Sequence, residues 1–161
     1  ITSNGTHIFF KQGLQTKAYF NVYNPSTNTW TSLPDAPFIS NPGGFIHYSS
    51  GKVFHLKGGG HLNFSSYDIS TNSWQIKSSL PDEIPATFRE GAGIVYDENT
   101  TSLYAIRGYH PVVLLKFNLT SYSWERINDW WTNHISQYHA FTYSNGLIYT
   151  GRALVGSVRC V

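Results

Sequence analysis

Tyr67-Asp68-Ile69-Ser70-Thr71-Asn72-Ser73-Trp74 places an aromatic ring seven residues before a tryptophan, with a polar turn between them. The same arrangement stands upstream as Tyr23-Asn24-Pro25-Ser26-Thr27-Asn28-Thr29-Trp30 and downstream as Phe117-Asn118-Leu119-Thr120-Ser121-Tyr122-Ser123-Trp124. The three tryptophans are 44 and 50 residues apart. A repeat of about this length in a chain rich in strand-forming residues indicates the blades of a β-propeller.

Working outward from the tryptophans, a turn followed by an apolar run and a closing glycine precedes each copy. It reads Asn4-Gly5 to Gly13, Ser50-Gly51 to Gly58-Gly59, Thr101-Ser102 to Gly108, and Asn145-Gly146 to Gly151. These are four copies of one strand. A third strand follows at 18–23, 64–69 and 113–117, and a fourth begins at each tryptophan. Beyond the fourth come Leu33-Pro34-Asp35-Ala36-Pro37 and Leu80-Pro81-Asp82-Glu83-Ile84-Pro85. Proline cannot donate to a ladder, so these segments read as crossovers between blades, with first strands at 43–48, 91–96 and 139–143. The expected fold is all-β: a partial propeller of about three to four four-stranded antiparallel blades, without appreciable helix. The blade parts are 1–33, 34–80, 81–127 and 128–161, with three, four, four and two strands. The residues form one segment of a larger propeller, because open blade faces need further blades from the same longer chain or another subunit.

Composition removes several classes of function. Charged residues are 12% of the 161 and aromatics 16%, a balance suited to sheets. The net charge is +2, and the 11 Lys and Arg are scattered, so the basic stripe of a nucleic-acid binder is missing. The longest wholly aliphatic run, Val112-Val113-Leu114-Leu115, is far short of a membrane span. Cys160 is the only cysteine, which excludes an intrachain disulfide and a cysteine zinc cluster. The chain begins at Ile1, as expected of a processed chain or a piece of a longer one. Four sequons, at Asn4, Asn63, Asn99 and Asn118, fall in turns or at strand edges. They point to glycosylation and to an extracellular or secretory-pathway protein, with the cytoplasm as the alternative.

The aromatic-Asp/Asn pair, the tryptophan seven positions on, the Leu-Pro element and the strand ending in Gly-Gly together resemble the kelch repeat, whose family forms β-propellers. Pro81, Pro85, Arg89, Gly91, Gly93, Tyr104 and Gly108 stand where kelch blades place their motif residues. The first copy has Asn41 where the second has Arg89. The third departs most, with Trp130-Trp131 in place of Leu-Pro and one glycine at Gly151. The resemblance implies that Trp30, Trp74 and Trp124 fill the gaps between blades. It also implies that Arg89 opens a first strand near the central channel.

The regular spacing assigns the repeat tryptophans to core rather than to a sugar-stacking platform. Trp130 and Trp131, read as a crossover loop, leave one ring available for binding. Gly58-Gly59-Gly60 lacks the Lys-Ser/Thr and the helix of a phosphate cradle, so its role is structural. His47 and His55 flank one hairpin, and register decides whether they share a face. In an antiparallel meander the second-to-third-strand loops and the crossovers emerge at one end. That end gathers Asn41, His61, Arg89, Tyr109, His110, Trp131 and Gln137, a mixture of Arg, aromatic and amide groups suited to recognition. The leading function is therefore a non-catalytic binding or scaffold module for a protein or a glycan, without a cofactor. The alternatives are a propeller enzyme of the copper-radical oxidase or sugar-isomerising kind, and a structural part of a larger assembly.

Overall fold

A strand packed on one face alternates buried and exposed residues, whereas a strand packed on both faces does not. The second strand of each repeat records this difference. Phe9 and Lys11 are buried on either side of an exposed Phe10, but Val53, Phe54, His55 and Leu56 are buried without a break. The first sheet is covered on one face and the second on both. A computed structural model describes residues 1–13, 16–77, 79, 92–106, 112–130, 139–152 and 158–160.

The described residues form four antiparallel sheets, each a meander. The first contains β1 (Thr2–Ser3), β2 (Ile8–Lys11), β3 (Phe20–Asn24) and β4 (Thr29–Leu33). The second contains β5 (Phe45–Ser49), β6 (Lys52–Gly58), β7 (His61–Asp68) and β8 (Ser73–Ile76). In the third are β9 (Gly93–Asp97), β10 (Ser102–Ile106), β11 (Val112–Asn118) and β12 (Ser123–Trp130). The fourth has β13 (His139–Ser144), β14 (Leu147–Arg152) and β15 (Val158–Cys160). The chain is thus an all-β partial propeller. The first blade has four strands rather than the expected three, because the two-residue β1 is too short to carry a periodic signal. The last has three rather than two among the described residues. Trp130 ends β12, opposite Val112, instead of standing in a loop.

Equivalent aromatic groups join the blades. Trp74 meets Phe20 of the first blade edge-on at 5.0 Å, and Trp124 meets Phe64 of the second at 5.1 Å. Tyr67 and Phe117 strike the same two phenylalanines at 5.0 and 4.8 Å. Around them, Phe9, Phe20, Ile46, Val53 and Tyr67 form one core between blades, and Phe54, Leu56, Phe64, Leu103 and Leu115 belong to the next. Trp30 corrects the expectation that all three tryptophans are buried. It is 58% exposed, since no blade among the described residues covers that face, while Trp74 and Trp124 are half-buried.

The turn between third and fourth strands explains the polar stretch before each tryptophan. The side-chain oxygens of Asn24, Asp68 and Asn118 accept the backbone N–H two residues on. Asn28, Asn72 and Tyr122 take a left-handed backbone to close the turn. Tyr23 donates its hydroxyl to Asn28 Oδ1 at 2.8 Å, and Tyr67 to Asn72 Oδ1 at 2.6 Å. In the third copy Phe117 and Tyr122 replace both partners and meet as rings at 6.2 Å.

Candidate functional site

At one end of the blades, second-to-third-strand loops and crossovers lie against each other. Ala36 donates its N–H to Ala18 O, and Gly13 bridges Ser40. The crossover also docks on the glycines that end β6. Asn41 N–H donates to Lys57 O and Gly59 N–H to Pro42 O, both at 2.8 Å. A Cβ on Gly58 would come within 2.3 Å of Gly44 N, and Gly58 has a φ of +71°. Only glycine satisfies both demands, so the Gly-Gly pair serves the close approach of a neighbouring backbone. A Cβ on Gly59 would strike Asn41 Cβ at 2.5 Å, which places the Asn41 side chain directly over the β6–β7 hairpin. His61 follows that hairpin and is exposed.

Between the first two blades this arrangement leaves a cleft of about 290 Å³. Its walls are Ile1, Lys11, Gly13, the loop 40–44, Phe45 and Ile46. Lys11 is 8% exposed and donates to Gln12 O at 3.0 Å. Burial pushes its ammonium pKa down, while Asp35 acts in the opposite direction. Ser40, also on the cleft wall, lies 2.8 Å from Nε2 of the fully buried His55. His55 stacks on Phe38 at 4.8 Å, and its Nδ1 has no partner. Burial, aided by the charge of Lys11, pushes the His55 pKa down to about 3. So weak a base, with no carboxylate on Nδ1, lacks the orienting group of a Ser-His nucleophile pair.

Asn41 and His61 are on the expected face. Arg89, Tyr109, His110, Trp131 and Gln137 lie outside the described residues. His47 and His55 do not share a face: His47 pairs with Phe54 and His55 with Ile46, one position out of phase. Among the described residues no group of three His, Cys, Asp or Glu side chains is placed to hold a metal. Among the described residues no helix is long and apolar enough to cross a membrane. Of the sequons, Asn4 accepts from Thr6 Oγ1 at 3.0 Å, Asn99 donates to the Tyr143 hydroxyl at 3.0 Å, Asn118 holds its turn, and Asn63 lies within β7.

Sequence reasoning missed Lys11 and Ser40, and it noted His55 only beside His47 at a hairpin. A signal for Lys11 exists in the alignment of the repeat copies. Its place at the end of the second strand is taken by Leu56 and Ile106, which are 1% and 2% exposed.

No protein-family profile matches the chain, and no curated protein sequence does. Solved structures do. The chain superposes on the structure of YjhT with a TM-score of 0.68 and 17% identity, covering 89% of this chain and 54% of that one. A nidogen–laminin complex gives 0.67 and 13%, covering 99% and 57%. TolB from Acinetobacter baumannii gives 0.56 and 14%, covering 99% and 41%. The chain therefore spans about half the length of these structural neighbours, and what it shares with them is the β-propeller fold.

Proposed function

We propose that this chain is a non-catalytic binding module that recognises a protein or a glycan through the loop end of its blades. The supporting observation is convergence. Lys11 at the end of β2, Gly13 and the crossover at 40–44 line one cleft, and the β6–β7 hairpin docks on that crossover through Asn41 and Pro42. Longer loops on a rigid scaffold supply variable contacts without disturbing the core. Arg89, Tyr109, His110, Trp131 and Gln137 extend the surface in this reading, beside Asn41 and His61. One propeller structure resembled by this chain was solved as a nidogen–laminin complex, an assembly of proteins. The kelch-type repeat remains part of the proposal, as do an extracellular or secretory-pathway location and glycans on Asn4, Asn63, Asn99 and Asn118.

In this reading further blades, from the same longer chain or another subunit, cover the exposed Trp30 face. A partner sought by glycan array and by cross-linking to the full-length protein tests the function. Arg89→Ala or Tyr109→Ala should weaken its binding by more than about 1 kcal/mol with native folding. Lys52→Ala, at the opposite end, should leave it unchanged. Binding that responds to Lys52 and ignores the other two would place recognition at the wrong end.

A further inference from the structure

Lys11 breaks the rule of its own repeat. Leu56 at the corresponding place packs into the core against the third blade and Ile106 is buried as well, so a lysine there exchanges apolar contact for a nearly buried charge. Such a charge is costly unless it is paired. Among the described residues the one ion pair is Lys52–Asp68, and the only hydrogen bond of Lys11 Nζ goes to the Gln12 carbonyl. Asp35 acts on Lys11 through its charge but makes no ion pair with it. Two of three ammonium donors are left without an acceptor among the described residues, and Lys11 lines the cleft.

The neighbouring polar groups are donors as well. Asn41 lines the cleft and its side-chain amide forms no hydrogen bond among the described residues, although its backbone is engaged. Ser40 is turned into a donor by His55. The unpartnered Nδ1 of His55 is better left as a bare lone pair than as an orphaned N–H, since stranded buried donors are the rarer case. The proton then resides on Nε2 and is donated to Ser40 Oγ, which frees the Ser40 O–H to donate to something else. No carboxylate side chain lines this wall.

We infer that the cleft between the first two blades binds the carboxylate of a small organic acid, with Lys11 as counter-charge and Ser40 and Asn41 as neutral donors. Lys11 is the one side-chain cation on this wall among the described residues, and with neutral donors it balances one negative charge. A phosphate dianion would call for a second cation or an arginine fork. The cleft volume is at the small end of the range for ligand sites. This inference rests on the loop end being the recognition face.

The test titrates the full-length protein with acetate, glucuronate, glucose and inorganic phosphate, observing the Lys11 side chain and the His55 ring by NMR. Acetate and glucuronate should shift the Lys11 signals and glucose should not, while His55 should carry its proton on Nε2. Lys11→Met should lower glucuronate affinity at least tenfold without loss of thermal stability, because it restores the aliphatic character of the other copies. Asn41→Ala, which keeps the Cβ packed on Gly59, should weaken binding several-fold and serves if the first variant does not fold. The inference is overturned if both carboxylates fail to bind, if Lys11→Met binds glucuronate as wild type does, or if phosphate is preferred. Carboxylate binding that depends on Lys11, beside a protein or glycan partner indifferent to Arg89 and Tyr109, would refute only the broader reading. Partner binding that obeys those residues, without carboxylate binding, would refute only the site.

Discussion

The Tyr67–Trp74 pair and the Tyr23–Trp30 pair are nearly the same object in two surroundings. Their ring centroids are 5.4 and 5.0 Å apart, at 49° and 41°. Trp74 lies against Phe20 and donates its indole N–H to Pro34 O, whereas Trp30 has Phe10 beside it and 58% of its surface exposed. The local sequence builds the pair, and the preceding blade decides whether it is buried. Repeat stability therefore resides in interfaces, as in other stacked arrays.

The largest loss should come at Phe64, which is fully buried and receives Phe54, Phe117 and Trp124. Phe64→Ala should cost about 4 kcal/mol, and Trp74→Ala about 3 kcal/mol, in urea unfolding. Trp30→Ala in these residues alone should cost under about 1 kcal/mol, as expected of an exposed side chain. In a longer chain that covers the face, the Trp30 effect should rise to that of Trp74. Equal costs for Trp30 and Trp74 in the present residues would break the comparison.

The two blade interfaces should also differ from an open face in their response to acid. Burial holds the pKa of His55 down at about 3 and that of His47 at about 4, both below the ordinary 6.5. In this case the unfolded chain binds more protons than the folded one. Stability should be complete above pH 6.5 and fall as pH drops toward about 4, by about 1.4 kcal/mol per pH unit for each proton taken up on unfolding. Urea midpoints measured between these limits check the slope, and His55→Leu should remove part of it. The smallest expected effect is that of Lys52→Ala. It breaks a half-exposed pair with Asp68, whose carboxyl that partner holds well below the usual range, and should leave the urea midpoint almost unchanged because solvent screens the pair.

The blade architecture was legible because the turns and tryptophans recur at fixed offsets, and those offsets are properties of a single strand pair. Asn41 was legible as a loop position for the same reason, whereas His61, expected in a loop, opens β7. Strand number at the ends was not, because Thr2–Ser3 is held by pairing with β2 and not by any pattern of its own. Nor was the fate of Trp30, since burial depends on a neighbour outside the repeat. Lys11 was overlooked because Ile8-Phe9-Phe10-Lys11 reads as an ordinary strand with a polar end. Only the register, which sets Lys11 opposite Phe20, puts the lysine on the face that packs against the second blade. The phase of His47 and His55 was likewise a register question, settled by one residue.

The hydroxyl-to-amide contact at the turn also constrains the order in which copies of the repeat can diverge. Tyr67 is 2% exposed and Asn72 is exposed, so the two ends of that hydrogen bond are not equally expendable. Losing the hydroxyl first forfeits about 1 kcal/mol and leaves the amide oxygen to water, whereas losing the amide first strands a largely buried hydroxyl at greater cost. From a Tyr–Asn pair, the cheaper route to a copy like Phe117–Tyr122 changes tyrosine to phenylalanine before asparagine is released.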